Sequence, residues 1–227
     1  MQVNKTNYEV NATPKFQVLS EEEIEAIYFA ALRVLYETGV RVYDKEGVEV
    51  AYSGGAIVED TTEDSSLVKM PPWMVDKARA TLPRKVVVVG PDRKYRMELY
   101  KNQIYFGAGS DTPFTIDPYT GKRRRATYQD VKNFARLAEA LPNIDFHMSL
   151  GIVQDTAVGT YDRWQYLAML EGTNKPINIT AVDLDGVRDQ LEMAYIRVGG
   201  EEEWKKGPCF SLYIEPVSPL SHSEEVV

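Results

Sequence analysis

The stretch TYQDVKNFARLAEALPNIDFHMSLGIV, residues 127 to 153, decides the fold class. In its first half apolar residues recur at helical spacing, at Val131, Phe134, Ala138 and Leu141. A proline then ends the helix, and residues 146–153 form an apolar run typical of a buried strand. A helix that leads directly into a buried strand is the unit from which parallel α/β sheets are built.

The same alternation continues on both sides of this stretch. Helices are predicted at 161–170 and 187–198, a charged loop at 201–206, and four strands from Ile104 onward, at 104–106, 146–153, 177–182 and 209–214. These strands are too apolar to have a solvent-exposed face, which indicates a parallel sheet. A closed barrel needs eight strands and roughly 250 residues. We therefore expect residues 104–227 to be the incomplete first part of a TIM-type (βα)8 barrel, with an open sheet as the alternative.

The residues before Ile104 have a different character. Residues 1–18 are polar and are interpreted as an N-terminal arm, while residues 19–103 are predicted to form an α+β region. Ser20 and Glu23 have capping-box spacing and predict the start of its first helix. At the other end, Ser221 and Glu224 have the same spacing, so another helix is expected to begin there and the chain to be the N-terminal half of a longer protein.

Composition excludes several classes of function. The 227-residue chain has 34 acidic and 26 basic residues, a net charge of -8, which argues against nucleic-acid binding as its main task. The basic run at 122–125 is interpreted as a hairpin tip. No stretch of 18 apolar residues and no signal peptide is present, so no membrane span is predicted and a cytoplasmic location is expected. Cys209 is the only cysteine and is predicted to be a buried structural thiol.

Motifs of common catalytic machinery are absent from the sequence. It has no Gly-x-Ser-x-Gly elbow, no His-Glu-x-x-His pair and no complete dinucleotide-binding glycine pattern. Its two histidines, His147 and His222, belong to different segments, so no metal site is predicted. Residues 107–109, Gly-Ala-Gly, are interpreted as a tight turn at which the backbone approaches another group closely.

Aromatic residues near the carboxyl ends of the predicted strands are the strongest site signal. Phe106 and Phe114 flank the glycine turn, and Tyr213 lies at the end of the last strand. Ligands of parallel α/β sheets bind at this edge, and aromatic faces there suit a quaternary ammonium group through cation–π attraction. Asp111 and Glu215 could add negative charge. The alternative interpretation of each aromatic residue is ordinary core packing.

Several segments together resemble a known family. Residues 19–24 with 37–42, 105–109, 137–146 and 215–220 are similar to the N-terminal region of MttB-type trimethylamine:corrinoid methyltransferases. The resemblance implies a βα barrel that transfers a methyl group from a methylated amine to the Co(I) corrinoid of a separate protein, with no cofactor bound directly by this chain. Founding members carry pyrrolysine at a position outside this sequence. Relatives without it demethylate quaternary amines such as glycine betaine, and the aromatic strand ends favour that group.

The implied chemistry agrees with the absence of a catalytic motif. A quaternary nitrogen leaves as a neutral tertiary amine, so the enzyme needs to position the methyl group and exclude water rather than supply an acid or base. We expect residues 1–227 alone to have no turnover. A non-catalytic methylamine- or betaine-binding paralogue and an unrelated βα-barrel enzyme are the alternatives, and the resemblance leaves a homo-oligomer open.

Overall fold

A computed structural model describes residues 17–223 of the chain. These residues divide into two compact units. The first unit contains residues 17–84 and 214–223, and the second contains Lys85–Tyr213. The division between units therefore falls at residue 85, whereas the sequence placed a boundary at 104. Most of the predicted arm, and the Glu224 of the predicted C-terminal capping box, lie outside the described residues.

The chain alternates short strands with helices of moderate length. The helices are α1 Glu21–Arg33, which continues as a π-helical turn over Val34–Thr38, α2 Lys45–Ser53, α3 Pro72–Thr81, α4 Tyr128–Ala140, α5 Tyr161–Gly172, α6 Leu184–Val198 and α7 Glu201–Lys205. The strands are β1 Val40–Val42, β2 Ile57–Glu59, β3 Ser66–Lys69, β4 Val86–Val89, β5 Arg96–Leu99, β6 Phe114–Ile116, β7 Arg123–Arg125, β8 Ile177–Ile179, β9 Phe210–Leu212 and β10 Ser221–His222. Within the described part of the chain, no helix has the length and apolar character needed to cross a membrane.

The first unit is built on a four-stranded sheet in the order β10-β1-β3-β2. Strands β1 and β2 both pair antiparallel with β3, and residues of β1, β3 and the intervening chain form a small core of Val42, Ala56 and Val68. The sequence-based expectation of a helix beginning at Ser221 is wrong. Ser221 and His222 instead pair parallel with Arg41 and Val42 of β1, a partner that no local pattern near residue 221 could indicate.

Helix α1 begins as predicted, with a reciprocal capping box. The Glu23 backbone N–H donates to the Ser20 hydroxyl at 3.2 Å, and the Ser20 N–H donates to the Glu23 carboxylate at 2.7 Å. The apolar side of α1, however, is not covered by the described residues. Ile24 and Ile27 remain 45% and 59% exposed, and only Leu32 of this helix is buried.

Four chain segments lie side by side in the second unit and form a parallel ladder. Segments 106–109 and 145–150 meet through a parallel bridge between Gly107 and Phe146, and His147 bridges in parallel to Ile177 of β8. Strand β8 then pairs parallel with β9. The segments follow one another in chain order, with α4, α5 and α6 in the connections. The predicted parallel arrangement is confirmed, although the first two segments contribute single bridges rather than full strands.

The core of the second unit fills the space between this ladder and its helices. The fully buried side chains include Tyr166, Ile177, Ile179 and Cys209, so the prediction of a buried structural thiol is confirmed. Residues 201–205 form a helix rather than the predicted charged loop. The reason is packing on one side, since the Trp204 ring lies 4.6 Å from that of Phe210 and 6.1 Å from that of Tyr195.

Candidate functional site

The carboxyl ends of the ladder bring polar residues from distant parts of the chain together. Asp111 follows segment 106–109, Ser149 lies in segment 145–150, and Thr180 follows β8. Because the four segments run parallel, their carboxyl ends share one edge. This is the edge at which ligands of parallel α/β folds bind.

Asp111 is held by three hydrogen bonds from three different elements. The Ser149 hydroxyl and Gln165 Nε2 of α5 both donate to Oδ1, the second at 2.8 Å. The Thr180 hydroxyl donates to Oδ2 at 2.9 Å. Three donors from separate elements fix the position of the carboxylate relative to the ladder, as a binding residue requires.

These residues border a narrow cleft, here called the strand-end cleft. Its polar lining is Asp111, Ser149, Gln165, Asn178, Thr180 and Asp162, and its apolar lining is Met148, Met169 and Ile179. The space among them leaves no room for a water molecule. Burial, together with the negative charges of Asp111 and Asp162, raises the pKa of the neighbouring Tyr161. The cleft is therefore narrow and carries the negative charges of Asp111 and Asp162.

The two predicted aromatic candidates before and after the glycine turn are both partly exposed. Phe106 is 56% exposed, and its backbone N–H donates to the Asp145 carboxylate at 2.9 Å. Phe114 lies in β6 and is 41% exposed. The Arg123 guanidinium lies over the Phe114 ring, 3.8 Å from its centre, so one face already has a cationic partner from the same chain.

The remaining two candidates fall in different units. Tyr213 follows β9, and its backbone N–H donates to the Ile179 carbonyl at 2.8 Å, which places it beside the carboxyl end of β8. Its side chain is 40% exposed. Glu215 is exposed and belongs to the first unit, whereas Phe106, Asp111, Phe114 and Tyr213 belong to the second.

The glycine turn makes a close approach to a ring of the protein itself. A Cβ at Gly107 would lie 2.3 Å from the Phe146 ring, whereas a Cβ at Gly109 would find only ordinary contact with Leu150 at 3.7 Å. Only Gly107 is therefore required by packing, and the group that it accommodates is the side chain of the adjacent parallel segment.

Sequence reasoning missed the three residues that hold Asp111. Ser149 and Thr180 lie inside the predicted strands 146–153 and 177–182 rather than at their ends, so their position gave no signal of a site. Gln165 lies on α5 between aromatic residues, and nothing local distinguishes it from a surface glutamine, although it is only 2% exposed.

Metal-ligating clusters of the usual acidic, histidine or cysteine type are not found in residues 17–223. The buried histidine, His147, lies in surroundings where the described part of the chain offers its ring no hydrogen bond. Both of its ring nitrogens lack hydrogen-bond partners among the described residues, and burial, assisted by the charge of Lys175, lowers its pKa to about 4. His147 is thus fully buried and neutral at neutral pH.

Comparison with known proteins gives the same family over the whole sequence. Residues 1–227 match the family "Trimethylamine methyltransferase (MTTB)". Similar curated proteins include trimethylamine methyltransferase MttB of Desulfitobacterium hafniense (strain DSM 10664 / DCB-2), 29% identical over 92% of this chain and 42% of its own length. Glycine betaine methyltransferase of Desulfitobacterium hafniense (strain Y51) is 28% identical, over 94% of this chain and 44% of its length.

A third relative is trimethylamine methyltransferase MttB2 of Methanosarcina mazei, 29% identical over 92% of this chain and 43% of its length. The chain thus spans less than half the length of the curated relatives that it matches. The family match, in contrast, extends over every residue of the sequence, and it agrees with the family resemblance of the separate motifs. The chain therefore belongs to the trimethylamine methyltransferase (MTTB) family.

Proposed function

We propose that this chain is part of a methyltransferase that moves a methyl group from a methylated amine to the Co(I) corrinoid of a separate protein. The observation that carries the proposal is the family match over residues 1–227. The names of the relatives, trimethylamine methyltransferase and glycine betaine methyltransferase, support a methylated amine as the donor. Because the chain spans less than half of their length, the activity is proposed for the whole protein.

The four parallel segments would be the first half of a TIM-type barrel. Their support is the strictly sequential parallel order of segment 106–109, segment 145–150, β8 and β9. A (βα)8 barrel places consecutive strands beside one another in this way and locates its active site at their carboxyl ends. The strand-end cleft would then lie at the active-site face, with the remaining four strands supplied by sequence beyond this chain.

The proposed reaction requires little acid–base catalysis by the protein. The nucleophile is Co(I) of the partner, which forms a bond to the methyl carbon while the carbon–nitrogen bond breaks and its electron pair remains on nitrogen. A quaternary donor leaves as a neutral tertiary amine, so no proton has to be supplied. The residues of this chain would therefore bind the ammonium group, orient one methyl group and exclude water.

A quaternary amine such as glycine betaine is the preferred donor, with trimethylamine as the second. The partly exposed rings of Phe106 and Tyr213 could receive a permanently charged ammonium group by cation–π attraction. Phe114 could do so only through the ring face that Arg123 leaves open. Asp111 would be the fixed polar residue of the site.

Calorimetric titration of the whole protein with glycine betaine, trimethylamine and choline tests this proposal. We expect glycine betaine to bind, and Phe106→Leu to weaken its binding about 2- to 30-fold, as a cation–π contact of about 0.5–2 kcal/mol predicts. Tyr119→Leu is the matched control, because Tyr119 is 95% exposed at the tip of the β6–β7 hairpin. Failure to bind any of the three amines would contradict the proposal.

A further inference from the structure

The strand-end cleft contains oxygen acceptors that no donor of the described chain satisfies. Gln165 Oε1 and Asn178 Oδ1 are buried and have no hydrogen-bond partner within residues 17–223. The Gln165 amide cannot simply be turned over, because its Nε2 donates to Asp111 at 2.8 Å and the reversed amide would direct oxygen at a carboxylate. A buried acceptor without a partner is costly, and two such acceptors in one cleft beside the Asp111 carboxylate point to a donor or cation there.

The charge of Asp111 supports the same conclusion. All three groups that donate to it are uncharged, and no ion pair involves Asp111 in the described part of the chain. The other acid of the cleft, Asp162, is different. Its carboxylate lies 3.2 Å from the Arg163 guanidinium and accepts the Val182 backbone N–H at 3.1 Å. One carboxylate of the cleft is thus neutralised and the other is not.

Size and ligand type restrict what can occupy this position. The cleft leaves no room for a water molecule, and it is far too narrow for a quaternary ammonium group. Carboxylate and amide oxygens are the ligands of hard cations, but divalent ions usually demand a richer carboxylate set than Asp111 alone. A bare monovalent cation smaller than water fits all of these observations.

We propose that the strand-end cleft is a sodium site, with Asp111, Gln165 Oε1 and Asn178 Oδ1 as ligands. The proposal rests on the acceptors and the charge of the cleft and does not depend on methyl transfer. Asp111 would then serve a substrate site only through the bound cation, because the narrow cleft cannot admit the ammonium group itself.

Thermal unfolding in chloride salts of equal ionic strength tests the site, together with ²³Na NMR line broadening. We expect sodium to raise the melting temperature relative to caesium and ammonium, and the protein to broaden the ²³Na signal. Gln165→Met should weaken sodium binding by about tenfold or more, as loss of a coordinating group does. Gln190→Met is the control for loss of a buried glutamine, since Gln190 is also fully buried with an unpartnered Oε1 and does not line the cleft, although its Nε2 donates to the Thr180 carbonyl at 2.9 Å.

Asn178→Ala provides a second ligand variant, at a half-buried position where folding is less at risk. Equal melting temperatures in sodium and caesium, together with an unbroadened ²³Na signal, would overturn the proposal. So would a sodium response that survives in both ligand variants. An equal or greater effect of ammonium would also overturn it, because the cleft would then select a hydrogen-bond donor rather than a metal ion.

Discussion

The fully buried His147 makes the stability of the second unit depend on pH. Its pKa is lowered from 6.5 to about 4, first because burial disfavours the charged ring and second because Lys175 repels a further positive charge. The folded protein thus keeps His147 neutral while the unfolded chain takes up a proton. The stability associated with neutral His147 is complete above pH 6.5 and is lost as the pH falls towards about 4.

The magnitude follows from the pKa difference. Proton linkage with these two pKa values lowers the free energy of unfolding by about 2 kcal/mol between pH 7 and pH 5, and by about 3 kcal/mol by pH 4. The ring nitrogens have no hydrogen-bond partners among the described residues, so His147→Phe removes the titration without breaking a hydrogen bond. We expect His147→Phe to change the free energy of unfolding by only about 1 kcal/mol at pH 7.

The assay is urea unfolding of this chain and of His147→Phe at pH values from 7 to 4. The free energy of unfolding should fall more steeply for the native chain, with the two curves separating by about 2 kcal/mol at pH 5. The variant should therefore become the more stable of the two in acid. Parallel curves over this range would refute the assignment of His147 as a buried neutral group.

Three further predictions concern packing, charge and helix capping. Gly107→Ala should lower the free energy of unfolding by about 1–3 kcal/mol because its Cβ would collide with an aromatic ring, whereas Gly109→Ala should change it little in the same urea titration. Asp130→Asn should lower the free energy of unfolding by about 1–2 kcal/mol at pH 7, because Arg124 holds the pKa of Asp130 at about 2. The difference in stability between the native chain and this variant should vanish near pH 2. Lys175→Met should cost about 2–4 kcal/mol in thermal unfolding, since Lys175 Nζ donates to two carbonyls at the end of α4; a change below about 1 kcal/mol would contradict this role.

Local sequence signals predicted the helices that begin with a cap and carry an apolar period. The capping box predicted for α1 at Ser20 is present, because it is formed by residues three positions apart, and α4 begins with a second one at Thr127. Helix α2 was not predicted, although Asp44 caps it, because Gly47 and a short length weaken its pattern. Helix α7 looked like a charged loop because charged residues dominate it, and its one aromatic contact residue, Trp204, packs against Phe210 of β9 and Tyr195 of α6.

The sequence predicted where the candidate site lies, at the strand ends, but it did not predict which side chains contact Asp111. Parallel order and the ligand edge followed from the alternation of helices and apolar strands, so Asp111 could be named. Its partner Gln165 is 54 positions away in the chain, and Thr180 is 69 positions away, so their contact depends on the register of the whole ladder. The exposed apolar side of α1 illustrates a second limit. A helical period of apolar residues predicts a helix, but it does not identify the residues that cover the apolar side of that helix.

Methylation of a Co(I) corrinoid protein by the whole protein that contains this sequence tests the central claim most directly. With glycine betaine as donor, we predict that the Co(I) absorbance is replaced by that of methyl-cobalt and that dimethylglycine appears in equal amount. Residues 1–227 alone should give neither product. Absence of transfer from glycine betaine, trimethylamine and choline alike, with a corrinoid protein shown to be active, would contradict the proposed function.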